Sequence, residues 1–182
     1  MKIQLIIITI FAFIFTACSV KPLDPVKFDT VEKHISFTQD IKPILDNRCV
    51  SCHSCYNSPC QLKLSSFEGL ERGASKKDIY ANRISADSPT RLFIDAVNEK
   101  QWREKGFFSM VDSLENSNES IMMQYLFQKD ANPQIIGEYS PETDELTCVK
   151  DKDELATFFE DNPHKGMPYG FPALKKQEYN LL

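Results

Sequence analysis

The sequence predicts a mainly α domain, and three observations carry that expectation. "FTQDIKPILDNRCVSCH" (residues 37–53) puts Ile41, Ile44 and Leu45 on one helical face and runs straight into a cysteine–histidine motif. "SNESIMMQYLFQK" (117–129) and "DKDELATFFED" (151–161) each combine a capping residue with apolar positions at helical spacing. No series of alternating apolar and polar residues marks a set of strands.

Taken in order, the chain begins "MKIQLIIITIFAFIFTACSV". Lys2 precedes an uncharged apolar run over 5–15, then the small residues Thr16 and Ala17, then Cys18. That layout is a secretory signal peptide over 1–17, and the run is shorter than the roughly 20 residues of a membrane span. "FTAC" resembles a lipobox, which makes Cys18 the lipidated first residue of the mature chain; Phe15 departs from the leucine that motif favours. A plain signal peptide or an uncleaved anchor is the alternative. Ser19 suits sorting to an outer membrane, so the expected address is the periplasm of a Gram-negative bacterium. Such an oxidising compartment lets disulfides persist. Residues 18–35, with Pro22 and Pro25 and no periodicity, read as a tether.

The first helix has Thr38 and Asp40 as candidate caps, with Pro43 in its first turn, where a missing N–H does no harm. It leads into "CVSCH" (49–53). C-x-x-C-H is the attachment run for c-type haem. Cys49 and Cys52, three apart on a helical turn, meet two vinyl groups of one porphyrin, and His53 supplies the proximal nitrogen to iron. A zinc site would want a second close ligand pair, which His34, His164 and Cys148 do not form. A thioredoxin-like motif would need a βαβ frame. The opening is that of a small class I cytochrome c, a fold that closes on a methionine loop and a last helix. "NPHKGMPYGFPALKKQEYNLL" (162–182) occupies that place. Met167 lies in a proline-broken loop and is the expected sixth iron ligand. The alternatives are a Met filling the core, His164, and the weaker Met110, Met122 and Met123.

Three cysteines remain. "CYNSPC" favours a short Cys55–Cys60 loop around turn-forming Asn57, Ser58 and Pro59; either cysteine could instead pair with Cys148. In the middle, "PTRLFIDA" (89–96) is a short apolar run, and "EKQWREKGF" (99–107) holds Trp102. The helix at 117–129 is expected to be capped near Ser117, to end before Pro133, and to carry Ile121, Met122, Tyr125 and Leu126 on one side. The helix at 151–161 has Asp151 as cap and Glu154 reciprocating, with Leu155, Phe158 and Phe159 inward. Residues 36–182 thus read as one cytochrome c-like haem domain with a long insertion between His53 and Met167. "LKKQEYNLL" starts a helix that stops after about two turns, so the domain is expected to be incomplete at its C-terminus.

At 182 residues the chain suffices for one domain with a core. It is 42% hydrophobic and 26% charged, which is globular. A net charge of −5 argues against nucleic acid.

Several stretches resemble one family, the fatty acid cis–trans isomerases of Gram-negative envelopes: residues 37–76, "PTRLFIDA" with "EKQWREKGF", and "GMPYGFPALKKQEY" (166–179). "CYNSPCQL" directly after the haem motif, then "GLERGA", is the specific part. Members are longer, so the resemblance implies an N-terminal part. It implies a periplasmic, haem-c-containing isomerase that converts cis double bonds of unsaturated fatty acids or phospholipid acyl chains to trans. Ferric haem would transiently withdraw electron density from the C=C bond, with no net redox. Matched to the family, Cys49 and Cys52 hold haem and His53 ligates iron, which makes His53 the catalytic candidate. A lipid-anchored monohaem cytochrome that only transfers electrons is the alternative function, and an exported disulfide-rich domain without haem the third.

Overall fold

The first helix forms where a serine hydroxyl, two turns of apolar spacing and an early proline coincide. A computed structural model describes residue 23 and residues 34–56, 58–76, 90–111, 120–133 and 148–182. The expected signal peptide, Cys18 and nearly all of the tether lie outside these. Ser36 caps the helix, not Thr38 or Asp40. Its hydroxyl accepts the Gln39 N–H (3.4 Å), while Asp40 reaches back to accept the Ser36 N–H (2.8 Å). The chain makes a π-helical turn, Phe37–Ile41, then α1, Lys42–Arg48, with Pro43 in its first turn. Ile44 and Leu45 are buried, Leu45 completely.

A 3-10 turn, Pro59–Gln61, follows, then α2, Phe67–Arg72, capped by Ser66, whose hydroxyl accepts the Gly69 N–H (3.2 Å). A two-stranded antiparallel sheet pairs β1, Ala74–Ser75, with β2, Phe107–Phe108, and α3, Glu99–Glu104, lies between them in sequence. Gly73 admits β1 to this pairing: its φ of 78° suits glycine, and a Cβ there would overlap the Phe108 carbonyl.

Then comes α4, Ile121–Ala131. Ser120, not Ser117, is its cap, accepting the Met123 N–H at 3.3 Å; such a cap is worth about 1 kcal/mol. The helix is not one-sided as expected. Ile121, Met122, Met123, Gln124, Tyr125, Leu126 and Lys129 are all buried, because neighbours cover it on several sides. Tyr125 meets Phe159 edge-on (5.2 Å) from α5, Lys152–Asp161, and Phe127 stacks on Tyr179 (5.7 Å) of α6, Lys176–Tyr179. Asp151 caps α5 as expected, accepting the Glu154 N–H (2.9 Å), whereas the return bond of Glu154 goes to the Lys150 N–H (3.2 Å), one residue ahead of the cap. Leu155 and Phe159 are buried and Phe158 half-buried.

The described part is therefore helix-rich with one small sheet. The main core joins Ile44 and Leu45 of α1, Leu62, Leu64, Ala74, Met110, the α4 side chains, Leu155, Phe159, Leu174 and Tyr179. The stretch between His53 and Met167 is thus no appendage, since its residues build the same core. A second cluster, Leu92, Ala96, Trp102 and Phe107, packs with Tyr56. The last residue of α1, Arg48, ties it to α6 through a forked pair with Glu178 (3.0 and 2.8 Å from Nη2). Among the described residues no helix is long and apolar enough to cross a membrane.

Candidate functional site

The C-terminus of α1 delivers the motif. The Cys49 and Val50 N–H groups still donate to the Leu45 carbonyl (2.8 and 2.9 Å), and the Cys52 and His53 N–H groups donate to the Cys49 carbonyl (3.1 and 2.9 Å). This last turn brings Cys49, Cys52 and His53 to one wall of a cavity of about 260 Å³. Neither Cys49 nor Cys52 is in a disulfide. Burial pushes the Cys49 thiol up to about 11, against the lowering effect of the Arg48 charge, so it stays protonated near neutrality.

His53 is oriented from behind. Its Nδ1 lies 3.1 Å from the Leu62 carbonyl oxygen. A carbonyl only accepts, so Nδ1 carries the proton and Nε2 keeps its lone pair. Burial pulls the imidazole below its usual range, outweighing the opposing effect of this bond, so the ring is neutral. The turn that carries Leu62 is itself braced. The Ser58 hydroxyl lies 2.6 Å from both the Cys55 and Leu62 carbonyls. Arg72, fully buried, donates to the Gln61 carbonyl and, at 2.9 Å, to the Thr90 carbonyl. The guanidinium lies 5.1 to 5.7 Å from the Phe107, Tyr56 and Trp102 rings. Burial lowers it to about 10, which leaves it charged, stabilised by carbonyls and ring faces.

Met167 faces the same cavity. Its N–H donates to the Tyr125 carbonyl (3.0 Å), and Gly166 lies so close to α4 that a Cβ would overlap the Lys129 backbone. The Met167–Pro168 bond is cis. Met110, Met122, Tyr125 and Leu126 complete the apolar wall, while Tyr169 and Phe171 border it. Met110 and Met122 come closer to the motif than their sequence context implied. His164 is exposed, and it and Met123 are absent from the lining. A smaller cavity of about 70 Å³ shares His53, Pro59, Leu62, Met110, Tyr125 and Met167 with the first.

The expected Cys55–Cys60 pairing is corrected: Cys60 bonds Cys148, 88 residues on. Cys60 and Gln61 take left-handed backbone angles (φ 56° and 52°), which swing Cys60 inward beside Val149, whereas Cys55 is exposed. The bond braces the smaller cavity.

The residues present fit a covalently held haem. Two thiols at the attachment spacing, a neutral histidine with its Nδ1 engaged and a thioether from a separate loop surround one apolar space. Sequence reasoning missed the roles of Leu62, Arg72 and Tyr125: the Leu62 carbonyl meets His53, the Tyr125 carbonyl accepts from Met167, and the Arg72 guanidinium donates to two carbonyls, contacts that no local pattern encodes. Gly166 was legible only as part of a Gly-Met-Pro turn. A family model described as fatty acid cis/trans isomerase (CTI) matches residues 87–182. No curated protein and no solved structure matches the chain.

Proposed function

The chain belongs to the fatty acid cis/trans isomerase family, and from that premise we propose that it isomerises acyl double bonds at a haem c held by its N-terminal part. It is an isomerase, and its substrates are fatty acyl chains. The observation that carries the haem reading is the shared cavity, which has Cys49, Cys52 and His53 on its walls together with Met167. Cys49 and Cys52 would hold the haem through thioether links, and His53 Nε2 and Met167 would ligate its iron. Residues 36–182 act as one cytochrome c-like unit.

Rotation about a C=C bond is far harder than about the peptide bond, whose barrier is already ~18–20 kcal/mol. When bound, the haem would supply an electron-poor iron centre, the chemistry needed to lower the bond order of an alkene. The chain's own residues set the conditions. Burial keeps the His53 ring neutral, and the Leu62 carbonyl keeps it correctly turned. Leu64, Met110, Met122 and Leu126 exclude water, and in that low-dielectric space charge redistribution is felt strongly. The Met167 N–H donates to the Tyr125 carbonyl, which places its thioether at the cavity wall. The protein works in the periplasm, anchored to a membrane through lipidated Cys18, where phospholipid acyl chains are at hand.

Acid–acetone extraction followed by intact-mass measurement tests this. The exported protein is expected to retain one haem, and Cys49→Ser with Cys52→Ser to lose both the haem and the trans lipids. Retention of full isomerisation by the haem-free variant would refute it. The family match sets isomerisation ahead of simple electron transfer, which predicts no trans lipids at all.

A further inference from the structure

Residues 91–97 hold three large apolar side chains in solvent. Phe93, Ile94 and Val97 are 64%, 67% and 61% exposed. The loop is firmly built. The Arg91 N–H donates to Asp95 Oδ2 at 2.5 Å, and its guanidinium adds contacts of 3.3 and 3.2 Å to the same carboxylate. The Asp95 N–H returns to the Arg91 carbonyl (3.0 Å), and the Phe93 N–H donates to the Ala96 carbonyl (3.1 Å). Leu92 and Ala96 point down into the cluster with Trp102 and Phe107. Phe93 has φ of 65°, a region that glycine or asparagine enters more easily. Phe93 thus combines a backbone region unusual for a bulky apolar residue with a ring that lies outside the core.

We propose that this tip docks the protein on a phospholipid bilayer, with Phe93, Ile94 and Val97 entering the boundary between headgroups and acyl chains. The proposal deepens the isomerase reading and rests on it: the substrate's acyl chains lie in a bilayer, and the tip falls within the stretch matched to the family. Charge agrees. The one acid of the tip, Asp95, is paired with Arg91 within the loop and also feels Lys105, so its charge is offset by basic groups. Residues 91–105 carry four basic and three acidic side chains in a chain of net charge −5. An apolar tip whose acid is offset by basic groups suits an anionic membrane surface.

Hydrogen–deuterium exchange on the full haem-loaded chain, with and without vesicles of phosphatidylethanolamine and phosphatidylglycerol, tests it locally. Amides of residues 92–97 are expected to exchange several-fold more slowly on vesicles, and those around Phe67, which is 52% exposed, to stay unchanged. The variant Phe93→Ser, Ile94→Ser, Val97→Ser is expected to lose that protection while its melting temperature holds within a few degrees. Unchanged exchange at 92–97 in vesicle-bound protein overturns the proposal. So does protection that survives the triple substitution, or that appears at high protein concentration without vesicles, which would mark a surface between copies. Isomerisation of a dispersed free fatty acid, assayed on the same preparations, reads the enzyme separately: activity without loop protection removes the docking tip alone.

Discussion

His53 and Leu62, nine residues apart, are joined by a 3.1 Å contact from the imidazole Nδ1 to the backbone carbonyl, and this contact decides the chemistry of the ring. It leaves Nε2 as the lone-pair nitrogen on a histidine that lines the apolar cavity. Because Leu62 accepts through its backbone, its side chain is free to pack in the core. What holds the carbonyl in place is the turn around Ser58 and Gln61, and behind it Arg72.

Arg72 should therefore matter far more than a surface arginine. Arg72→Ala removes hydrogen bonds to two carbonyls and leaves a void among three aromatic rings. A loss of about 3 kcal/mol is expected from those combined effects. Arg72→Lys recovers little of it, since an ammonium cannot reproduce the planar fork. Urea denaturation of the three proteins checks both statements.

Gly166 sets how closely the Met167 loop approaches α4. Gly166→Ala forces a Cβ into the Lys129 backbone, so the loop must lift. The expected destabilisation is about 2 kcal/mol, as for overpacking. The haem spectrum should also lose its methionine-ligation features. Melting curves and absorption spectra recorded on one preparation report the two effects.

The disulfide offers a third test. Cys60 and Cys148 close a loop with a sequence separation of 88, for which chain entropy predicts a stabilisation of about 4–5 kcal/mol. Cys60→Ser with Cys148→Ser should lower stability by that order, whereas Cys55→Ser should change it little. Peptide mapping without reduction should recover the 60–148 link and no 55–60 link.

Glu178 provides the pH dependence. Burial raises its carboxyl, but the hydrogen bonds from Arg48 and the Lys175 N–H, with their charges, outweigh that and hold it below its usual range. A depressed acid stabilises the fold above its unfolded value of about 4.3, and that contribution is lost as pH falls through the lower folded value. Wild type should exceed Glu178→Gln in melting temperature at pH 6–7, and the gap should close below about pH 4. A gap that widens on acidification would contradict the assignment.

Much of the site was legible because its chemistry lies in contiguous residues. Cys49, Cys52 and His53 are named by one motif, and Met167 by a proline-broken loop in the right place. The caps were half legible: Asp151 was clear, but Ser36 and Ser120 lie two to four residues from the other candidates Thr38, Asp40 and Ser117, and only the observed bonds to Gln39 and Met123 single them out. The partner of Cys60 was hidden because two left-handed residues, invisible in composition, turn it away from Cys55. The burial of α4 on several sides was also hidden, since polar Gln124 and Lys129 interrupt its apolar pattern and yet are buried.

The most direct measurement is gas chromatography of membrane fatty acids from a host without its own isomerase, expressing the gene for this chain or its His53→Ala variant. Trans fatty acids should accumulate with the wild type and fall to the level of the empty host with His53→Ala, at equal protein abundance. Trans fatty acids made at the wild-type rate by His53→Ala would contradict a haem-dependent mechanism centred on this residue.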